Sequence, residues 1–142
     1  MNKSVVFLRV ASVLTLIHAV LHTVGGVFGK INPGPASVAA AAMKANQFLF
    51  MGSMRTFWDF RTGLALMVTI FLTAESVLMW QLASLAKADA RRLRPMMATF
   101  GVAYLVTAIN SYEYFFVAPI VMEILIAACC GMAIAMAKEK TT

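Results

Sequence analysis

Charge is what this chain of 142 residues has least of: six Asp and Glu, twelve Lys and Arg, 13% charged in all, against 61% hydrophobic. A soluble domain carries about 25% charged and about 45–50% apolar residues. So few charges cannot cover so much apolar surface in water, which excludes a soluble globule and leaves lipid to do the covering. The net charge of +6 suggests a nucleic-acid partner. However, the basic residues do not form a polar face. They sit between apolar runs, where positive charge sets membrane orientation, so no nucleic acid is expected. Cysteine is equally sparse. Cys129 and Cys130 are adjacent inside an apolar run. Helix neighbours point about 100° apart, so the two neither bridge each other nor offer a zinc spacing. They read as small, membrane-buried residues. No internal repeat is present, and no signal-cleavage pattern follows the first apolar run, which is longer than a signal core of about 7–15 residues.

What is present is a series of apolar runs. Residues 5–28, 62–85, 96–112 and 119–137 predict four helices long enough to cross about 30 Å of hydrocarbon. The fold class expected is all-α: an integral membrane four-helix bundle in a single domain, with a short interfacial helix between helices 1 and 2. Lys30 to Pro35 contains two prolines and breaks the first helix, and Ala36 to Ala45 forms the short one. Asn46 to Phe60 crowds Phe48, Phe50, Phe57, Trp58 and Phe60 together, which suits the membrane–water interface. Pro119 fits the first turn of the last helix, where its missing N–H costs nothing.

Orientation follows from the basic residues. Lys3, Arg9, Lys87, Arg91, Arg92, Arg94, Lys138 and Lys140 fall on one side, against Lys30, Lys44, Arg55 and Arg61 on the other. The richer side is cytoplasmic, giving cytoplasmic N- and C-termini, and the loop between helices 3 and 4 holds no basic residue.

In such a chain, the polar residues left inside the spans carry the information, because an ionised group at the bilayer centre costs about 2.5–3.5 kcal/mol. These are His18, His22, Glu75, Asn110, Glu113 and Glu123, with Asp59 and Arg61 at the entrance to helix 2. In the first helix, Ala11, Thr15, His18, His22, Gly25 and Gly29 recur every three or four residues and predict one small, polar, buried face. That face is either a packing seam or the wall of a polar pocket. His22 and Glu123 are expected at similar depth in the outer half of the bundle, with Glu75 and His18 deeper. Asn110, Tyr112 and Glu113 crowd the turn between helices 3 and 4. Asp59 is either part of this site or a structural partner of Arg55, four residues before it.

His18 and His22, with carboxylates from other helices, have the residue types of a metal site. No Glu-x-x-His accompanies them, so no metal is assigned, and two histidines on one helix cannot clamp both faces of a haem. Proton transfer fits better, a carboxyl beside a histidine acting as general acid or base. His18, His22, Glu75 and Glu123 are then the catalytic candidates. Trp58, Asp59, Arg61, Asn110, Tyr112 and Glu113 are the ligand-binding candidates. The eleven methionines read as flexible packing, or as the lining of a lipophilic pocket.

Three stretches belong together: His22-Thr23-Val24-Gly25-Gly26, Arg55-Thr56-Phe57-Trp58-Asp59-Phe60-Arg61-Thr62-Gly63 and Trp80-Gln81-Leu82-Ala83-Ser84-Leu85. With them the chain, from about Leu8 to Met136, resembles an uncharacterised family of small four-helix bacterial inner-membrane proteins that is loosely DoxX-like. The resemblance implies a four-helix membrane bundle in the bacterial inner membrane and a link to quinone-dependent redox complexes. It implies no specific activity. The chain carries no flavin, haem or CxxC motif, so no cofactor is named.

Three functions fit these residues. One is a polar pocket in the outer half of the bundle that binds a lipophilic small molecule and acts on it by proton transfer. Another is a non-catalytic subunit or assembly partner of a larger membrane complex. The third is a small proton-coupled transporter built as a homo-oligomer, with Glu75 as its proton site.

Overall fold

The computed structural model describes residues 2–137, so Lys138 and Lys140 of the charge count lie outside the described residues. The chain is mostly helical. Helix α1 (Lys3–Leu21) runs straight into a π-helical turn (His22–Val27), and α2 (Pro35–Ala45) follows. A hairpin of β1 (Gln47–Phe50) and β2 (Ser53–Thr56) leads into α3 (Phe57–Asp89), α4 (Arg94–Tyr114) and α5 (Val117–Ala135). Among the described residues, three helical segments are long and apolar enough to cross a membrane: Lys3–Val27, Phe57–Asp89 and Val117–Ala135. Helix α4 has the length, but Asn110, Ser111 and Glu113 dilute its apolar character.

The apolar surface argues for lipid as strongly as the sequence does. Only 17% of the most apolar stretch of α3 is buried by the chain itself. Val24, Ile70, Val106 and Ile109 are each exposed by 60% or more. Single exposed apolar residues are ordinary in water, whereas faces of them along whole helices are not.

Contacts divide the chain into two compact units: one formed by the chain up to His18 and from Leu72 onward, the other by Ala19–Phe71. In the first, Val5, Leu8, Leu82, Ala86, Met97 and Ala133 form one core cluster. Ala11, Met79, Tyr104, Ile126, Ala127 and Cys130 form another. Small residues let α4 and α5 approach closely: a Cβ on Gly101 would stand 3.4 Å from Cys130 Cβ. Arg9, the cation inside the first apolar run, lies with its guanidinium 3.4 Å from the Trp80 ring centroid and donates to Ser84 Oγ at 3.2 Å. Cation–π contact and a hydrogen bond thus give an otherwise expensive charge its partners.

The second unit holds most of what sequence patterning missed. The expected polar face of the first helix continues only as far as His18. Ala11 and Thr15 are fully buried, but Gly25 and Gly29 are exposed. The cause is the π-helical turn at His22, whose hydrogen bonds reach one residue further than in an α-helix and rotate the stripe. Gly26, not Gly25, comes under the His22 ring, where a Cβ would meet Nδ1 at 3.4 Å. A Cβ on Gly29 would collide with the Gly25 carbonyl oxygen, so the chain can leave the helix here only with glycine.

Helix α2 starts at Pro35, and the Gly34 N–H is met by Ser37 Oγ at 3.1 Å. The aromatic stretch after it forms a hairpin, which the sequence reading did not anticipate. Its register pairs Gln47 with Thr56 and Phe50 with Ser53 around a two-residue turn, Met51-Gly52. Both turn residues have positive φ, 47° and 83°. Glycine takes this without penalty, whereas Met51 pays about 1–2 kcal/mol. Phe48, Phe50, Phe57 and Phe60 stack where the hairpin meets the start of α3, with Phe48 and Phe57 centroids 4.9 Å apart.

Candidate functional site

The densest polar arrangement lies in the unit formed by the chain ends, on α1, α3 and α4. Ser12 donates to the Ser76 carbonyl at 2.7 Å, and Ser76 donates back to the Ser12 carbonyl at 2.9 Å. This reciprocal pair clasps α1 to α3. One turn further along α1, Thr15 donates to the Ala11 carbonyl at 2.9 Å, and its oxygen lies 3.6 Å from Met79 Sδ. From α4, the Tyr104 hydroxyl reaches both partners: 2.7 Å from Glu75 Oε2 and 3.3 Å from Thr15 Oγ1. Glu75 sits near the midpoint of α3. Tyr104 and Thr15 are buried, and Glu75 is half-buried.

The hydroxyl protons define what this chain of oxygens can do. Tyr104 owns one proton and cannot donate to both neighbours at once. With Glu75 ionised, Tyr104 donates to the carboxylate and its oxygen is free to accept from Thr15. With Glu75 protonated, the carboxyl donates to Tyr104, Tyr104 to Thr15, and Thr15 to the Ala11 carbonyl. Each arrangement satisfies the oxygens in turn. Both arrangements use the same oxygen positions and differ only in where the hydroxyl protons point.

Another carboxyl, this one buried, lies between α4 and α5. Ser111 Oγ donates to Glu123 Oε1 at 3.0 Å, both residues being 3% exposed, while Glu123 Oε2 has no partner among the described residues. Asn110, Tyr112 and Glu113, the ligand-binding candidates at the turn between the third and fourth spans, are all exposed, Tyr112 by 75%. The buried stripe of α4 runs Met97, Tyr104, Ala108, Ser111, and a step of about 100° per residue carries 110 and 112 off it. Tyr104 and Ser111 are the two functional candidates that sequence reasoning missed. Their spacing of seven on one helix face was the available signal.

The remaining candidates have partners of their own. His18 is buried in the unit of the chain ends. His22 belongs to the other unit, where its Nε2 lies 3.1 Å from the Ala65 carbonyl oxygen. Next to it, Thr23 Oγ1 is 3.0 Å from Thr69 Oγ1. His22 and Glu123 thus sit in different units, each with a protein partner. Asp59 Oδ2 accepts from the Thr56 N–H at 2.8 Å, and Thr56 Oγ1 accepts from the Asp59 N–H at 3.1 Å. This is a reciprocal helix cap. Arg55 donates to the Met54 carbonyl at 2.7 Å, and its charge also attracts the Asp59 carboxylate. Arg61 donates to the Gly26 carbonyl at 3.0 Å, and the Trp58 ring centroid is 4.8 Å from its guanidinium and 4.3 Å from the Lys44 ammonium. Among the described residues no three His, Cys, Asp or Glu side chains converge as metal ligands. No family model, no curated protein and no solved structure matches the chain.

Proposed function

We propose that this is a multi-pass membrane protein, a four-helix bundle with cytoplasmic termini, in which Glu75 takes up and releases a proton as a lipophilic small molecule binds. The observation that carries the reading is the Tyr104 hydroxyl, shared between Glu75 Oε2 at 2.7 Å and Thr15 Oγ1 at 3.3 Å. A carboxyl placed mid-helix in an apolar segment is costly when charged, so such residues usually mark a proton or substrate path. Here the carboxyl also has a hydroxyl chain that accepts either protonation state. Glu75 is the proton donor and acceptor in this reading, and Tyr104 and Thr15 position it and absorb the change. The bacterial inner membrane and a DoxX-like relationship belong to the same proposal and rest on the Phe57-Trp58-Asp59-Phe60 segment and its companions.

The test is proton release in weakly buffered detergent, read by a pH dye on adding tetraphenylphosphonium, a lipophilic cation, or menadione, a neutral quinone. Wild type should release or take up a proton with at least one probe. Glu75→Gln should abolish that change while its helix content stays as in wild type. Binding of neither probe, or an unchanged proton count in the variant, contradicts the proposal.

A further inference from the structure

We infer that the unit Ala19–Phe71 carries a binding site for one phosphate group, held between Lys30 and Arg61. An open groove of about 390 Å³ lies where the π-helical turn gives way to the loop before α2. Gly25, Gly26 and Gly29 form one wall, and Lys30 and Arg61 supply its two cations. Glycine walls leave the backbone accessible, and around Gly25 there is open space where a side chain would otherwise stand.

Arg61 is fixed at this groove. One guanidinium nitrogen is held by the Gly26 carbonyl at 3.0 Å, and the group lies 4.8 Å from the Trp58 ring centroid. A guanidinium has five N–H donors in a rigid fork, so this anchorage leaves donors to spare and orders them beforehand. Lys30 has no ion-pair partner among the described residues. The unit contains four cations, Lys30, Lys44, Arg55 and Arg61, and a single acid, Asp59. Asp59 does not line the groove, and its carboxylate accepts from the Thr56 N–H at the start of α3. A fork beside a point charge matches a phosphate, which accepts from both and balances both charges. The Gly34 N–H, just before α2, takes no part, since Ser37 Oγ accepts it, and Pro35 has no N–H to offer. The phosphate has two sources at a membrane: a lipid headgroup, or free inorganic phosphate.

The full chain, purified in detergent, is offered equal amounts of phosphatidylglycerol and a galactolipid lacking phosphate, and the retained lipid is counted by native mass spectrometry. Wild type should prefer phosphatidylglycerol. Lys30→Gln should cut that preference about fivefold, and Lys30→Gln with Arg61→Gln should bring it to parity. Lys87→Gln with Arg92→Gln removes the same charge elsewhere and should leave it intact. Lys30 sits in an exposed loop, so its single variant reports even if the double variant fails to fold. Excess inorganic phosphate separates the sources: displacement of the lipid assigns the groove to free phosphate, and retention assigns it to the headgroup. The site is refuted by wild type without preference, by Lys30→Gln retaining the full preference, or by an equal loss in the control pair.

Discussion

Removing the Tyr104 hydroxyl isolates one bond whose worth can be worked out. In Tyr104→Phe the ring still packs against Met79, Ile126 and Cys130, so no cavity opens and only polar contacts are lost. The contact to Glu75 at 2.7 Å is short and strong, whereas the one to Thr15 at 3.3 Å is at the long end of its class. Thr15 keeps its bond to the Ala11 carbonyl, so the loss falls on Glu75. Hydrogen bonds between transmembrane helices average about 0.6 kcal/mol in double-mutant cycles and reach about 1.7. Because Glu75 is a carboxyl and only half-buried, a coupling of about 1–1.5 kcal/mol is expected. The cycle pairs Tyr104→Phe with Glu75→Leu, measured by SDS titration of the protein in dodecyl maltoside micelles. Trp80, held under Arg9 on the same unit, reports unfolding by fluorescence. Additivity within about 0.3 kcal/mol would show that the two side chains share no bond, and the hydroxyl chain at Glu75 would lose its central link.

Three further outcomes follow from the geometry. Gly29→Ala should destabilise by more than about 2 kcal/mol, because its Cβ meets the Gly25 carbonyl, while Gly25→Ala stays within about 0.5 kcal/mol; thermal unfolding in detergent separates them. Thr56→Ala should cost about 1 kcal/mol through loss of the α3 cap, read in the same assay. A reporter fused after Thr142 should show a cytoplasmic C-terminus, and a periplasmic signal would reverse the proposed orientation.

What could be read from the sequence was whatever depends on period and composition. Long apolar runs gave the positions of α1, α3, α4 and α5, and Pro35 with the alanines after it gave α2. The Ala11, Thr15, His18 stripe came out buried because an unbroken α-helix keeps its phase. The same stripe failed at Gly25, where a π-helical turn shifts phase without any change of residue type that marks it. The β-hairpin was hidden because its turn, Met51-Gly52, places methionine where Asn or Asp usually announces such a turn. Glu75 was legible as an expensive carboxyl. Its partner Tyr104 was not, since a lone tyrosine in an apolar run reads as packing until its hydroxyl is placed. Asn110 and Tyr112 drew attention by polarity alone, although helical phase already favoured Ser111.

Infrared difference spectroscopy in H2O and D2O tests the Glu75 proton site most directly. On adding tetraphenylphosphonium or menadione to wild type, a protonated-carboxyl stretch should gain or lose intensity and should shift in D2O. The change should vanish in Glu75→Gln and move in frequency in Tyr104→Phe, whose hydroxyl no longer meets the carboxyl. A carboxyl band that neither probe alters, or one that persists unchanged in Glu75→Gln, would contradict the assignment of the proton to Glu75.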